Sequence, residues 1–246
     1  MNSKLQYIVL FLIVGAGCFL NACPQPVNTV DKWQARILEA HGGADTLAQV
    51  STILFSGKIA TREDKGTVVL VLSRPGKLRT TMQYLKGYED RVLLENRGWR
   101  NSGTGFEEAA EYSLEAMIFQ YNHLNLPMGV IDGNYKIGFV EQKIGDRLFP
   151  ALKLTGAGGP PMIVIIDPDT GLIRQVDGRI RVGSREVIMG VGYRDYKQVS
   201  GVMLPHRIIN YVNGIAIAES RYDTVTVNTE LNGDFFTIGG QQKIRK

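Results

Sequence analysis

Asp167 and Asp169, two residues apart in the stretch DPDTG, are spaced like the first ligands of a calcium loop. Such a loop needs further oxygen ligands and a late glutamate. None follows at the required interval, so the pair reads as turn chemistry. His41, His123 and His206 are far apart, and none sits in an H-E-x-x-H or Cys/His cluster that could hold zinc. Tyr-Arg-Asp-Tyr (193–196) carries groups capable of acid–base work, but its alternating charge describes an exposed strand. Ser184 and Ser200 lack a G-x-S-x-G setting, and the glycines of GAGGPP and GVG lack the strand–helix context of a phosphate loop. With no nucleophile–base pair and no cofactor motif, the expectation is a protein that is not an enzyme and needs neither metal nor cofactor.

The remaining chemistry is that of sulfur. The only two cysteines, Cys18 and Cys23, both fall near the start of a 246-residue chain, so no disulfide framework can serve the rest. Lys4 is the only charge before Asp31, and Tyr7 to Leu20 is apolar or small throughout. This is the layout of a secretory leader, shorter than the ~20 apolar residues of a spanning helix. A retained anchor helix is the alternative. Leu20-Asn21-Ala22-Cys23 resembles the lipobox of bacterial lipoproteins, with a branched apolar residue at minus three and a small one at minus one. The resemblance implies cleavage before Cys23, its diacylation, and attachment to a membrane through the lipid. Each buried methylene contributes ~0.8 kcal/mol to that attachment. Cys18 is the competing site, with Gly15 at its minus three, and an ordinary leader with an incidental thiol is the plain alternative. Pro24 stands where an aspartate would resemble an inner-membrane retention signal, which favours the outer membrane, facing the periplasm. The resulting division is a leader over 1–22, a lipidated tether over 23–30 and one folded domain over 31–246.

Composition suits that domain. Hydrophobic residues make up 44% and charged residues 21%, enough for a real core, and the net charge of +4 is spread without a Lys/Arg block. Nucleic-acid binding is not expected.

Positioning falls to strands. After a helix from Asp31, with Trp33, Ile37, Ala40, Ala44 and Leu47 on one face and a break at Gly42-Gly43, strand texture begins at Ser51. Short apolar-rich runs separated by TREDK, RPG and KG read as an antiparallel meander, with GWRNSGTG as a closing turn or bulge. One helical island, EEAAEYSLEAMIFQYNHLNLP, interrupts it, with Ala110, Leu114, Met117, Ile118, Tyr121 and Leu124 on one face. Glu107, Glu108 and Glu111 would lie at its positive end, and Pro127 would stop it. Strands then resume through the turns DPDTG, VSG and VNG. About ten to eleven strands in one sheet must curl. The expected architecture is mostly β with two or three helices: an unclosed antiparallel β-barrel whose helices cover an apolar concave side.

ILEAHGGADTLAQVSTILFSGKI, VIIDPDTGLIRQV and YRDYKQVSGVMLPHRIINY resemble the opening segment and later hairpins of the outer-membrane lipoprotein-sorting (LolA/LolB-like) superfamily. The resemblance implies an unclosed barrel with helices as a lid over a cavity for acyl chains. It also implies acyl chains or lipoproteins as partners and a place in the cell envelope. Soluble carriers of that family have no lipobox, so the likeness leans towards its lipid-anchored receptors. Those expose an apolar residue on a protruding loop, whereas TREDKG here is charged. The stripe Leu114, Met117, Ile118 and Tyr121 is either such a lid or a core helix. Met82, Tyr84, Trp99 and Trp33 are candidates to line the same space. The second functional reading is an envelope sensor or assembly factor that uses the curved sheet to dock a protein partner.

Overall fold

The computed structural model describes residues 29–156 and 158–239. Cys18, Cys23 and the expected leader and tether through Asn28 lie outside them. Helix α1 (Thr29–Ala40) starts two residues ahead of Asp31, which sits in its first turn. Gly42 and Gly43, at φ +119° and +86°, end it in a conformation that side chains disfavour, and the single turn α2 (Ala44–Ala48) follows. Ile37 and Leu47 are buried, so the apolar stripe read across this break is the face that packs.

Six strands then form a meander: β1 (Thr52–Thr61), β2 (Lys65–Ser73), β3 (Lys77–Tyr84), β4 (Tyr88–Leu94), β5 (Arg97–Asn101) and β6 (Phe106–Glu108). Helices α3 (Glu111–Leu124) and α4 (Met128–Ile131) come next. Seven strands complete the chain: β7 (Tyr135–Ile144), β8 (Arg147–Gly156), β9 (Met162–Ile166), β10 (Ile173–Val182), β11 (Arg185–Val199), β12 (Val202–Val212) and β13 (Ile215–Val227). All are antiparallel in one sheet of thirteen strands, ordered β6-β5-β4-β3-β2-β1-β13-β12-β11-β10-β9-β8-β7. The pairing of β1 with β13, from Ile53↔Val227 to Thr61↔Ala218, fuses the two meanders. The free edges β6 and β7 never meet, so the barrel is unclosed, and the segment linking them carries α3 and α4.

Two strands beyond the expected ten or eleven are β5 and β6. Arg-Gly-Trp-Arg-Asn has no apolar alternation, and Phe-Glu-Glu is three residues long; both are held by pairing to β4 and to each other. Exposed glutamates suit a sheet edge, which they protect from further pairing. Glu107 and Glu108 therefore belong to β6 and not to the helix. Glu108 lies opposite Trp99 and pairs with Arg97. The helix begins at Glu111, with Ala110 as its cap residue rather than on its face.

Period-two alternation assigns each face. Leu78, Met82 and Leu93 point to the main core on the concave side, whereas Arg79 and Asp90 point outward. There the C-terminal segment 229–239 folds back over β1 and β2, and Phe235 packs on Leu54 and Val71. Beneath it, Arg79 holds Asp90 through two hydrogen bonds of 2.7 and 3.1 Å. The pair is 4% and 2% exposed. The Tyr88 and Thr81 hydroxyls donate to the same carboxylate, and Arg79 also donates to the Phe235 carbonyl. A charge buried this deeply is tolerated only because its partners are all present.

Removing one partner strands the other. Asp90→Ala is expected to cost ~3–5 kcal/mol, lowering Tm by on the order of 10 °C. The double replacement Arg79→Met/Asp90→Leu should cost less than the single change. Thermal melts of both variants check this, and a double variant less stable than Asp90→Ala would contradict it.

Candidate functional site

Helix α3 crosses the concave side and touches β4 and β5 on one wall and β10 on the other. It comes this close because the walls lack side chains where it lands. A Cβ on Gly98 of β5 would lie 3.0 Å from the Met117 sulfur and 3.1 Å from Leu114. On Gly178 of β10 it would lie 2.5 Å from the Phe119 ring, and on Gly159 it would lie 2.8 Å from Ile118. Polar ties fix both ends of the helix. Arg100 reaches Ser113 at 3.2 Å, the Arg181 N–H donates to Glu115 at 3.1 Å, and the Gly76 N–H donates to the Tyr121 hydroxyl at 2.8 Å.

Seated this way, the helix covers the hollow without filling it. A cavity of about 290 Å³ remains between α3 and the strands β1–β4 and β11–β13. Ala116, Phe119, Gln120, His123 and Leu124 form its helical side, facing Val68, Leu70, Val191, Ile208 and Tyr222 on the sheet. Leu70, Val191, Ile208 and Tyr222 are buried, whereas Thr61, Tyr84, Met189 and Ile217, towards one end of the barrel, are partly or largely exposed. That end is the mouth. Strand register puts the β1–β2, β3–β4, β10–β11 and β12–β13 turns there. The other end holds the junction of α2 with α4.

The polar groups around the cavity have distinct states. Tyr193 donates to the His123 carbonyl at 3.1 Å, so the His123 Nδ1–H donates to the tyrosine oxygen at 2.7 Å. Burial pulls this imidazole down to about 3, so it is neutral at ordinary pH. Burial likewise lowers His41 to about 4, partly offset by its bond to the Ile37 carbonyl. On β4, Glu89 accepts from Arg91 at 2.7 Å and from Arg100 at 2.7 and 3.2 Å. Burial would raise that carboxyl, but the two guanidinium groups outweigh it and hold Glu89 below its usual range. Among the described residues, no group of three or more His, Cys, Asp or Glu could hold a metal.

Of the residues singled out in the sequence, Met82 and Tyr84 stand on the cavity wall, the Tyr84 hydroxyl donating to the Met82 sulfur at 3.3 Å. The stripe Leu114, Met117, Ile118 and Tyr121 does not line this cavity; it rests on the wall glycines and on Gly76. Trp99 lies on the opposite side of β5 from Gly98, beneath the Arg97 guanidinium at 5.0 Å. Trp33 packs partly buried on the main core from α1, with the Lys32 amine 5.8 Å from its ring. On the helix, Leu124 of the apolar face does line the void, but Ala116, Phe119, Gln120 and His123 were missed, although they recur at helical spacing too. Also missed was Leu85 on the β3–β4 turn, 75% exposed at the mouth end, where TREDKG supplies only charge. Val182, Ile188, Ile215 and Ile217 are exposed at the same end.

No family profile and no curated protein sequence matches the chain. Solved structures do match its fold. A candidate outer membrane lipoprotein-sorting protein domain from Vibrio parahaemolyticus is similar over 84% of this chain and 93% of its own, with TM-score 0.52 and 11% identity. A LolA superfamily protein from Nitrosomonas europaea covers 85% and 98%, with TM-score 0.53 and 13% identity. A DUF1329 family protein from Desulfovibrio piger covers 85% and 98%, with TM-score 0.55 and 10% identity.

The contact between Gly178 and Phe119 sets the height of the helix above the sheet. Gly178→Val should destabilise by ~1–3 kcal/mol through overpacking, and Phe119→Leu in the same chain should recover part of that loss. A double-mutant cycle from denaturant melts checks the coupling. Strictly additive effects would show that the ring does not rest there.

Proposed function

We propose that this chain, whose fold is that of the LolA superfamily, is a lipid-anchored protein of the bacterial cell envelope that takes an acyl chain into the cavity beneath α3. The observation that carries this reading is the void itself: a mostly apolar space, open at one end, under a helix whose opposite faces are tied to the walls. Each 100 Å² of chain removed from water there is worth ~2.5 kcal/mol, so affinity needs no specific polar contact. Met82 and Met189 suit chains of differing length because their side chains repack easily.

The mouth supports the same reading. Leu85, Ile215 and Ile217 project from hairpins beside it, where a lipid leaving a bilayer would enter. Arg62 and Lys65 on the β1–β2 hairpin and Lys86 on the β3–β4 turn lie at the same end and suit anionic head groups. The lipobox at Cys23 would hold the domain within reach of that surface. A purely protein-docking role is less well supported, because it gives the void no purpose.

Two experiments test the proposal. Native mass spectrometry of the domain lacking its lipid anchor, purified from a bacterial periplasm, should show a co-purifying acyl lipid. Ala116→Phe and Ala218→Phe, which fill the cavity from two sides, should weaken binding of a fluorescent fatty-acid probe at least ~10-fold while the melt stays cooperative. Absence of lipid together with no micromolar binding, or Phe variants that bind like the unaltered chain, would reject the acyl site. For the anchor, Cys23→Ser should move the protein from the membrane fraction to the soluble one. Its retention on membranes would reject lipidation at that position.

A further inference from the structure

The cavity wall has one corner that an apolar chain cannot satisfy. Thr80 on β3 and Arg91 on β4 are directly opposite in the register, and both line the cavity. Side chains so placed have Cβ atoms ~4.5–5.5 Å apart. Thr80 is 3% exposed, and its hydroxyl has no hydrogen-bond partner among the described residues. A buried hydroxyl left unpaired carries a real desolvation cost, so such a group calls for an occupant. Arg91 lines the cavity and bonds Glu89 through its Nε, so the outer nitrogens of its guanidinium are available to a ligand. Within this cluster one carboxylate, Glu89, serves two guanidinium groups, Arg91 and Arg100.

The opposite wall offers no such charge. It presents Met189, Val191, Ile208 and Tyr222, with Asn210 and Ser220 as uncharged polar side chains. The space is therefore polarised from β4 to β11: a cationic corner with an unpaired donor at one side, and mostly hydrocarbon at the other. Its size sets a second limit. About 290 Å³ is at the lower edge of the ~300–1,000 Å³ of ligand pockets, room for one chain and not for the two or three of an acylated lipoprotein terminus.

We infer that the ligand is a single-chain amphiphile with a compact anionic head, a long-chain carboxylate, whose head group binds Arg91 and Thr80 while its tail lies towards β11–β13. This rests on the acyl-binding reading above and narrows it from any acyl chain to one chain with a charged end. A carboxylate fits because a guanidinium presents parallel donors to its two oxygens, and the threonine hydroxyl supplies a third.

Calorimetric titration of the domain with hexadecanoate and with uncharged hexadecan-1-ol tests this. The unaltered chain should prefer hexadecanoate by at least ~10-fold, as expected for a charge-assisted pair in a partly buried site. That preference should collapse in Arg91→Met, shrink in Thr80→Val, and fall in part in Arg91→Lys, which keeps the charge but not the paired donors. If Arg91→Met fails to fold, Thr80→Val and Arg91→Lys still decide the question. Equal binding of acid and alcohol, or a preference untouched by these changes, would overturn the head-group assignment and leave the acyl cavity standing. A triacylated lipopeptide competing as well as hexadecanoate would overturn the single-chain limit. Failure of both single-chain probes to bind would instead remove the acyl-binding reading, and this inference with it.

Discussion

Everything in this structure depends on how closely α3 can approach the sheet that surrounds it. The two free edges, β6 and β7, do not pair, so the segment joining them must cross the concave side of the barrel. A helix crossing an antiparallel sheet ordinarily rides on side chains. Here Gly98, Gly159 and Gly178 let it sink onto the walls, where Leu114, Met117, Ile118 and Phe119 occupy the places their missing side chains would take. With these residues seated on the walls, the helix turns Ala116, Gln120 and His123 inward, beside the part of Phe119 that also lines the cavity. That face carries a small residue and two polar ones, which is why a void survives beneath it.

Outside, the opposite strategy prevails. The outer face of β1 and β2 is covered by residues 229–239, and the Arg79–Asp90 pair is buried there with bonds to Phe235, Thr81 and Tyr88. Inside, charge is kept to one corner, and the deep histidine is held neutral by burial and paired with Tyr193. The distribution suits the proposed container: the charged network lies on the outer face, and the interior is mostly apolar. Of the buried polar side-chain atoms left without a partner among the described residues, on His41, Thr80, Asn122, Asn125 and Arg207, the Thr80 hydroxyl is the one on the cavity wall.

Much of this was legible in the residues, and the gaps have physical causes. Hairpin turns such as DPDTG announce themselves, because Asp167 accepts bonds from Asp169 and Thr170 in the turn itself. The Gly42-Gly43 break was equally plain. Strands β5 and β6 were not, because pairing holds them and their side chains do not alternate. Which face of α3 meets the void was not legible for a related reason. Leu114, Met117, Ile118 and Tyr121 make the more apolar stripe, and an apolar stripe seeks contact; here the contact is a glycine-lined wall. Sequence shows that a helix has a greasy face but not whether that face meets protein or void. The same limit hid Arg91, one of many arginines on strands, whose place is set only by its register opposite Thr80.

The central claim is that the space between α3 and the sheet holds a hydrocarbon chain. Nuclear Overhauser contacts between the methylenes of carbon-13-labelled hexadecanoate and methyl-labelled protein test it most directly. The account predicts cross-peaks to Leu70, Val191 and Ile208 and none to Leu54 or Val71 on the outer face. Contacts confined to the outer face, or to Leu85 and Ile215 at the rim, would contradict it.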